Sequence, residues 1–238
     1  MKKTRVTLSV IIPAYNEANT LAHILDAVLM QKDVKQLIVV NDCSSDRTKQ
    51  ILTKYAKKES RIVAVHHTTN KGKGAAIQSG LRKVTGSHVL IQDADLEYDP
   101  TEIPSLLKPI RDGKAQVVYG SRFMGPHTNM YFWHAVGNKV LNFIVNILFN
   151  TTLSDMETCY KVIPVELMRR INLRENDFRI EPEITCKLLL EGVRIYETPI
   201  SYVGRSFEEG KKIGWFDAVL AVQTIITIRV GLHNLWKS

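Results

Sequence analysis

The first half of the chain alternates short runs of apolar, β-branched residues with longer stretches whose apolar residues recur at helical spacing. These runs predict strands and helices in strict alternation, with Asn19 and Ser45 as candidate N-caps of the first two helices. The predicted strands are 7–12, 36–41, 61–66, 88–92 and 116–119, and the predicted helices are 20–30, 46–57, 74–84 and 102–112. This order predicts an α/β, Rossmann-like fold with a mostly parallel sheet flanked by helices.

The second half departs from this alternation. It contains a long apolar helix candidate over 130–149, a polar turn over 153–158, a helix over 181–191 and a strand over 194–198. A basic segment over 204–214 and an apolar end over 215–236 follow. The sequence contains no internal repeat, low-complexity stretch or convincing linker. We therefore expect one domain over 1–214, followed by a C-terminal amphipathic helix over 215–238.

Composition and charge narrow the functional classes. With 45% hydrophobic and 24% charged residues, the chain has an ordinary globular composition. Its net charge of +8 favours anionic partners, but no recognition helix, zinc spacing or RNA-binding aromatic motif supports nucleic acid. Cys43, Cys159 and Cys186 are an odd number without metal-type spacing, which favours a reduced, cytoplasmic location.

Two carboxylates directly follow the fourth predicted strand. Asp93 and Asp95 are two residues apart in an extended segment, so they point the same way and can serve one hard cation, while Glu97 could add a third oxygen. Ligands of parallel α/β sheets bind beyond the carboxyl ends of the strands. This position favours an Mg²⁺ or Mn²⁺ site over the alternative of a solvated acidic turn.

Polar residues also follow the first and second strands. Asp42 could accept hydrogen bonds from a base or ribose, or it could be a turn residue. Tyr15 and Glu17 could contact a nucleoside, although each alone is an ordinary loop residue. The segment 70–76, which contains Lys73 and two glycines, could bind an anion at a helix start or be a flexible turn.

Taken in order, five motifs resemble the inverting glycosyltransferases of family 2, which have the GT-A fold. They are Ser9-Val-Ile-Ile-Pro-Ala-Tyr-Asn-Glu17, Val39-Val-Asn-Asp-Cys-Ser-Ser-Asp-Arg-Thr48, Asn70-Lys-Gly-Lys-Gly74, Gln92-Asp-Ala-Asp-Leu-Glu97 and Gly120-Ser-Arg-Phe123. The chain looks most like the dolichyl- and polyprenyl-phosphate glycosyltransferases, such as dolichyl-phosphate mannose synthase. The resemblance covers roughly residues 6–217.

The resemblance implies roles for the strand-end residues. It assigns the nucleoside to a set of positions in the first two motifs, namely Pro13, Tyr15, Glu17, Val40 and Asp42.

It also implies roles in the later motifs. Asp93, Ala94 and Asp95 would contact the donor, with Asp95 and Glu97 as metal ligands. Arg122 would lie near the donor or acceptor phosphate.

An acceptor loop is the next implied feature. In the segment 202–213, Arg205 and Lys211 match phosphate-contacting positions, although the lysine assignment could shift to Lys212. Asp155 occupies the place of a family acidic residue, but Cys159-Tyr-Lys161 replaces the Gly-Phe-Arg/Lys segment that follows it in relatives.

Together these expectations predict a metal-dependent hexosyltransferase that uses GDP-mannose or UDP-glucose and transfers the hexose to a polyprenyl or dolichyl phosphate, with a glycan hydroxyl as the alternative acceptor. A phosphate acceptor is already anionic and needs basic residues, as Arg122, Arg205 and Lys211 would provide. A hydroxyl acceptor needs a general base, for which Asp155 is the candidate. A sugar nucleotidyltransferase is the rival from another enzyme class, but its glycine-rich N-terminal signature is missing.

Membrane contact would come from the second half, because no apolar run is long enough for a span. The segment between Trp215 and Trp236 could lie in the headgroup plane, or pack on the domain or another subunit. The segment 130–149 could supply a second interfacial helix, although a core helix is the stronger expectation. We expect a cytoplasmic protein, peripheral on the membrane face, with a membrane-protein partner or a second copy as further possibilities.

Overall fold

The computed structural model describes residues 6–204 and 215–231. Within these ranges the sheet strands and helices follow one another as predicted in the first half. The strands are β1 (Leu8–Ala14), β2 (Val34–Asn41), β3 (Ile62–His66), β4 (His88–Ile91), β5 (Val117–Ser121), β6 (His127–Thr128), β7 (Lys161–Pro164), β8 (Ile195–Pro199) and β9 (Tyr202–Val203). The helices are α1 (Leu21–Leu29), α2 (Thr48–Lys58), α3 (Lys73–Leu81), α4 (Ile103–Arg111), α5 (Phe132–Phe149), α6 (Val165–Arg170), α7 (Ile180–Leu190) and α8 (Trp215–Arg229).

The central sheet has seven strands in the order β3-β2-β1-β4-β7-β5-β8. Strand β7 is antiparallel to both of its neighbours, and the other pairings are parallel. Apolar side chains of the sheet and its flanking helices form the main core. Since β1 lies between β2 and β4, the chain order reverses at β1, which is where a ligand crevice is expected.

Strand β7 and helix α6 are absent from the sequence prediction. The strand spans only four residues and begins with Lys161, whose side chain is fully buried. A charged residue in so short a run conceals the apolar pattern by which strands are recognised. The pair β6 and β9, two residues each, is too short to give a periodic signal.

Both N-cap predictions are wrong. Helix α1 has Thr20 at its N-cap, and α2 has Arg47, with no capping hydrogen bond from either side chain. Asp46 provides the polar contact instead, because its carboxylate accepts hydrogen bonds from the backbone N–H of Thr48 at 2.9 Å and of Ala18 at 3.0 Å. The loop after β1 is thereby tied to the start of α2.

Helix α8 packs with α5 and α7 around a second, smaller hydrophobic cluster. Its inner face includes Ala221, Ile225 and Ile228, while Val219 and Ile226 are exposed on the outer face. Apolar residues therefore lie on both faces, so the structure does not show the polar–apolar separation expected of an amphipathic helix. Trp236 lies outside the described residues.

Candidate active site

The loops after β1, β2 and β4 surround one cavity of about 730 Å³. Ten of the predicted site residues line it: Pro13, Tyr15, Glu17, Asp42, Lys73, Asp93, Ala94, Asp95, Glu97 and Arg122. Val40 does not, because β2 is an inner strand and the Val40 side chain is fully buried in the core. Arg205 and Lys211 lie outside the described residues.

Asp42 organises the loop that follows β3. Its carboxylate accepts hydrogen bonds from the backbone N–H of Lys71 at 2.9 Å and of Gly72 at 2.7 Å. His67 Nδ1 lies 2.6 Å from the same carboxylate, and His67 Nε2 lies 2.9 Å from Ser79 Oγ. Asp42 is therefore both a cavity residue and the anchor of residues 71–72.

The two glycines of the 70–76 segment allow close packing. A Cβ at Gly72 would lie 2.4 Å from the carbonyl oxygen of Asn176, and one at Gly74 would lie 2.2 Å from that of Glu175. Gly72 also has a φ of +93°, which L side chains rarely adopt. These glycines let the loop approach residues 175–176, which explains them without a phosphate ligand.

Lys73 joins the carboxylates of two different elements. Its ammonium lies 2.8 Å from Asp93 Oδ1 and 3.1 Å from Glu181 Oε1, and Glu181 also pairs with the buried Lys161. Burial alone would lower the pKa of Lys73, but Asp93 and Glu181 raise it well above its usual value. Lys73 is therefore a fixed cation that links the loop after β4 to α7.

The predicted metal carboxylates do not form one ligand cluster. Asp93 is paired with Lys73, Asp95 Oδ1 accepts the backbone N–H of Glu97 at 3.1 Å, and Glu97 Oε2 accepts the Tyr202 hydroxyl at 2.9 Å. Across residues 6–204 and 215–231, no three His, Cys, Asp or Glu side chains are preassembled for a metal ion. The assignment of a metal ion to Asp93, Asp95 and Glu97 therefore stays a prediction.

The donor set still fits a magnesium-type ion. Such ions are usually held by one or two carboxylates, with substrate phosphates and waters completing the coordination. Asp95 and Glu97 are carboxylates that line the same cavity, within the same five-residue segment as Asp93. A preformed cluster of three ligands is not required for this type of binding.

Arg122 and Asp155 meet at the wall of the cavity. Asp155 is fully buried, and its carboxylate receives two side-chain hydrogen bonds and one backbone hydrogen bond from Arg122. Asp155 is absent from the cavity lining. This arrangement positions Arg122 and commits the Asp155 carboxylate to the ion pair, while the role of Asp155 as a catalytic base stays a prediction.

The cavity extends from the carboxylates to α5 and α8. Its lining there includes Trp133, Gly137, Leu141, Ala218 and Ala221. The small side chains at Gly137, Ala218 and Ala221 leave room between the two helices. His134, Asn138 and Asp217 of the same two helices also line it, so the cavity runs from a polar end at the strand termini to a partly apolar end between these helices.

Three cavity-related residues were missed by sequence reasoning. They are Glu157, Lys161 and Glu181. A charged residue beside an apolar run, such as Lys161 before Val162 and Ile163, requires a buried partner and could have signalled this network. The identity of that partner, twenty residues later, is visible only in the fold.

Sequence relatives include several glycosyltransferases. The chain is 29% identical to the low-salt glycan biosynthesis hexosyltransferase Agl6 of Haloferax volcanii, over 88% of this chain and 51% of that protein. It is 30% identical to dolichyl-phosphate beta-glucosyltransferase ALG5A of Trichomonas vaginalis, over 83% and 66%. It is 28% identical to undecaprenyl-phosphate mannosyltransferase of Micrococcus luteus, over 95% of both chains. The chain thus spans about half to two thirds of the first two relatives, and nearly all of the third.

A structural neighbour and a family model complete the comparison. Glucosyl-3-phosphoglycerate synthase from Mycobacterium tuberculosis, in complex with Mn²⁺, UDP and glucosyl-3-phosphoglycerate, superposes with a TM-score of 0.72 and 18% identity. The match covers 95% of this chain and 80% of that one and confirms the predicted GT-A fold. The model of Glycosyl transferase family 2 matches residues 9–171, well over half of the chain. The protein therefore belongs to glycosyl transferase family 2.

Proposed function

We propose that this protein transfers a hexose, mannose or glucose, from a nucleotide-diphosphate sugar to a polyprenyl phosphate with inversion at the anomeric carbon. The observation that carries the proposal is the continuous cavity of about 730 Å³ that joins the strand-end residues to a partly apolar groove between α5 and α8. A polar sugar nucleotide and an apolar lipid can meet in such a cavity. The Trichomonas and Micrococcus relatives, a dolichyl-phosphate glucosyltransferase and an undecaprenyl-phosphate mannosyltransferase, support the same pairing.

The donor nucleotide would occupy the polar end. Tyr15 is 39% exposed and its ring can cover a base, while Glu17 and Asp42 line the same region. Pro13 and Ala94 supply apolar walls close to the ends of β1 and β4. GDP-mannose and UDP-glucose both fit this description.

Asp95 would hold a Mn²⁺ or Mg²⁺ ion together with Glu97 or Asp93. When bound, the ion would neutralise the charge of the departing nucleotide diphosphate. The metal-bound complexes of the Mycobacterium structural neighbour support a divalent ion in this fold. Lys73 would keep Asp93 in place through the contact described above.

The acceptor phosphate would approach from the α5–α8 side. A phosphate oxygen attacks the anomeric carbon in line with the bond to the nucleotide diphosphate, which leaves as that bond breaks. A phosphate monoester is an anion at pH 7, so no proton has to be removed from it. Arg122, held by Asp155, lines the cavity and supplies positive charge, and Arg205 and Lys211 are proposed to add more.

The enclosed position of Asp155 favours the phosphate acceptor over a glycan hydroxyl. A hydroxyl acceptor needs a base within hydrogen-bond reach of its proton. Asp155 was the candidate for that role, and its carboxylate is fully buried against Arg122. The single-displacement transfer to a lipid phosphate makes no such demand.

We also propose peripheral contact with the membrane. Helix α5 exposes an apolar stripe of Phe132, Val140, Phe143 and Ile147, whose spacing places them on one face. Within the described ranges, no helix combines the length and apolar character needed to cross a bilayer. Such a stripe beside the lipid end of the cavity suits a surface that rests on a membrane.

The test is a donor screen followed by a transfer assay. Thermal shifts with GDP, UDP and their hexose conjugates, with and without Mn²⁺ or Mg²⁺, select the donor. Transfer of its labelled hexose is then measured with undecaprenyl phosphate and, in parallel, with 3-phosphoglycerate or an oligosaccharide. We expect product in the lipid phase only. Transfer to a water-soluble acceptor alone would refute the lipid acceptor.

A matched pair of variants tests the metal role. Asp95→Asn should abolish metal-dependent binding of the nucleotide sugar. Asp99→Asn removes a carboxylate four residues away that caps a 3₁₀ turn at 2.8 Å from Thr101 N, and it should leave binding unchanged. Equal binding by both variants would eliminate Asp95 as a ligand. Release of pyrophosphate from a nucleoside triphosphate and a sugar phosphate would indicate the nucleotidyltransferase instead.

A further inference from the structure

Glu157 contains a buried polar atom without a hydrogen-bond partner. It lies in the loop between α5 and β7 and lines the cavity. Its Oε1 is inaccessible to solvent and forms no hydrogen bond to the part of the chain that the structure describes. Buried carboxyl oxygens are nearly always paired, because an unsatisfied one is costly. Because the Glu157 side chain lines the cavity, a small rotation of its carboxyl group would bring this oxygen to a bound ligand, which would complete the hydrogen bonding.

The cations near Glu157 are committed to other carboxylates. Lys161 pairs with Glu181, and Arg122 pairs with Asp155. The two cations and their two partner carboxylates therefore balance in charge, and Glu157 is a third carboxyl group without a cation of its own among the described residues. Burial raises the pKa of Glu157 to about 7, Lys161 and Arg122 oppose the shift, and Glu181 and Asp155 reinforce it.

This environment selects the chemical class of the ligand. A phosphate group would bring negative charge beside the carboxyl groups of Glu157 and Glu181, and Lys161, which pairs with Glu181, is fully buried and does not line the cavity. A sugar hydroxyl both donates and accepts a hydrogen bond, so it can satisfy Glu157 in either protonation state. The surroundings therefore fit a neutral polyhydroxyl group better than a phosphate.

We propose that Glu157 hydrogen-bonds a hydroxyl group of the hexose carried by the nucleotide donor and helps to determine which hexose is accepted. The inference rests on the proposed function, because it assumes that a nucleotide sugar occupies the cavity. Glu157 would contact the sugar, whereas the residues assigned above contact the nucleotide, the metal and the acceptor. An enzyme site that loses one such partner discriminates less between sugars that differ at the contacted hydroxyl.

The test compares binding of a nucleotide sugar with binding of its nucleotide diphosphate. Calorimetry is performed with UDP-glucose and UDP, or with GDP-mannose and GDP, for the wild type, Glu157→Ala and Glu157→Gln. Glu157→Ala should weaken binding of the nucleotide sugar by about tenfold and leave the diphosphate within twofold. Glu157→Gln keeps the size and a donor and should stay within threefold of wild type for both. Glu166→Ala, which removes an exposed glutamate on α6, serves as the control.

Deoxy-sugar donors provide the decisive readout. The wild type should bind one monodeoxy analogue about tenfold more weakly than the parent donor, and Glu157→Ala should lose that difference. If Glu157→Ala and Glu157→Gln both retain the wild-type difference, the buried oxygen is satisfied by water and the inference is wrong. Binding does not involve the acceptor, so a failure of lipid transfer with this difference intact would refute only the proposed acceptor.

Discussion

Arg122 and Asp155 form a bidentate ion pair, with Nη2 2.7 Å from Oδ1 and Nε 2.8 Å from Oδ2. The backbone N–H of Arg122 donates to the same Oδ2 at 2.9 Å. Burial lowers the pKa of Arg122, but the adjacent Asp155 carboxylate raises it well above its usual value. A permanent, oriented cation at the cavity wall is the consequence.

Asp155→Asn should destabilise the protein by about 3 kcal/mol, because it leaves a buried guanidinium without its counter-charge. Urea denaturation followed by circular dichroism measures this change. Asp33→Asn removes the carboxylate of a more exposed pair with Arg111 and should cost less than about 1 kcal/mol.

The same variant separates positioning from proton transfer. Asp155→Asn should lower the transfer rate while preserving the shape of its pH profile, since no proton passes through Asp155. If the Asp155→Asn protein folds stably but transfers no hexose, Asp155 acts as the base. The same conclusion holds if its transfer rate no longer changes with pH on one side of the optimum.

Asp42→Asn should loosen the loop after β3 as well as weaken nucleotide binding. An amide provides one acceptor oxygen, whereas the carboxylate receives backbone N–H groups of Lys71 and Gly72 on both oxygens. The lost charge-assisted contact corresponds to about 2 kcal/mol, or roughly thirtyfold in nucleotide affinity. Hydrogen exchange of residues 70–74 without nucleotide should be faster than in the wild type. Unchanged exchange with weakened binding would show that Asp42 acts only on the ligand.

The sequence predicted the strand ends well because local patterns carry that information. Asp42 and Asp93 each directly follow an apolar run, so the end of each strand can be predicted from the local sequence. Because β1 pairs with both β2 and β4, the sheet order then brings the two aspartates to either side of β1. The pairing of Arg122 with Asp155 could not be read in this way. The two residues are 33 positions apart, and β7, which packs beside β5 and brings the Asp155 loop to Arg122, gave no strand signal.

The network beneath the cavity shows a second limit. The position of Lys73 between two glycines predicts an anion ligand, which stays a prediction, but it gives no sign of the ion pairs that Lys73 forms with Asp93 and Glu181. Glu181 lies in the first turn of α7, whose sequence shows only an apolar pattern with charges, so the burial of Glu181 could not be inferred from spacing. Charge pairing between distant segments depends on packing that sequence periodicity does not encode.

Glu157 should make the stability of the protein depend on pH. Its folded-state pKa is raised from 4.5 to about 7, so its contribution is fully present below pH 4.5 and is lost as the pH rises through 7. At about 1.4 kcal/mol for each pKa unit, the loss amounts to about 3 kcal/mol. Glu157→Gln lacks this contribution. The wild type should therefore lose about 3 kcal/mol relative to Glu157→Gln between pH 4.5 and pH 8, as measured by urea denaturation, and a constant difference would show that folding does not raise the pKa of Glu157.

The exposed face of α5 provides the last prediction. Phe143 and Ile147 are 64% and 63% exposed, and Lys139 lies on the same side of the helix. Apolar side chains beside a cation suit the interface of an anionic bilayer. In liposome flotation, the wild type should float with phosphatidylserine-containing vesicles, and the bound fraction should fall as salt rises.

Phe143→Ser combined with Ile147→Ser should reduce flotation strongly while leaving the unfolding midpoint close to wild type, since both side chains are exposed. Met30→Ser, which replaces an 80% exposed methionine at the end of α1, is the matched control and should float as the wild type does. Hexose transfer to undecaprenyl phosphate in vesicles should fall in the double variant, whereas calorimetric binding of the donor should not change. If the double variant floats normally, membrane contact is made elsewhere on the surface, and the stripe on α5 must be assigned to a protein partner or a second copy of the chain.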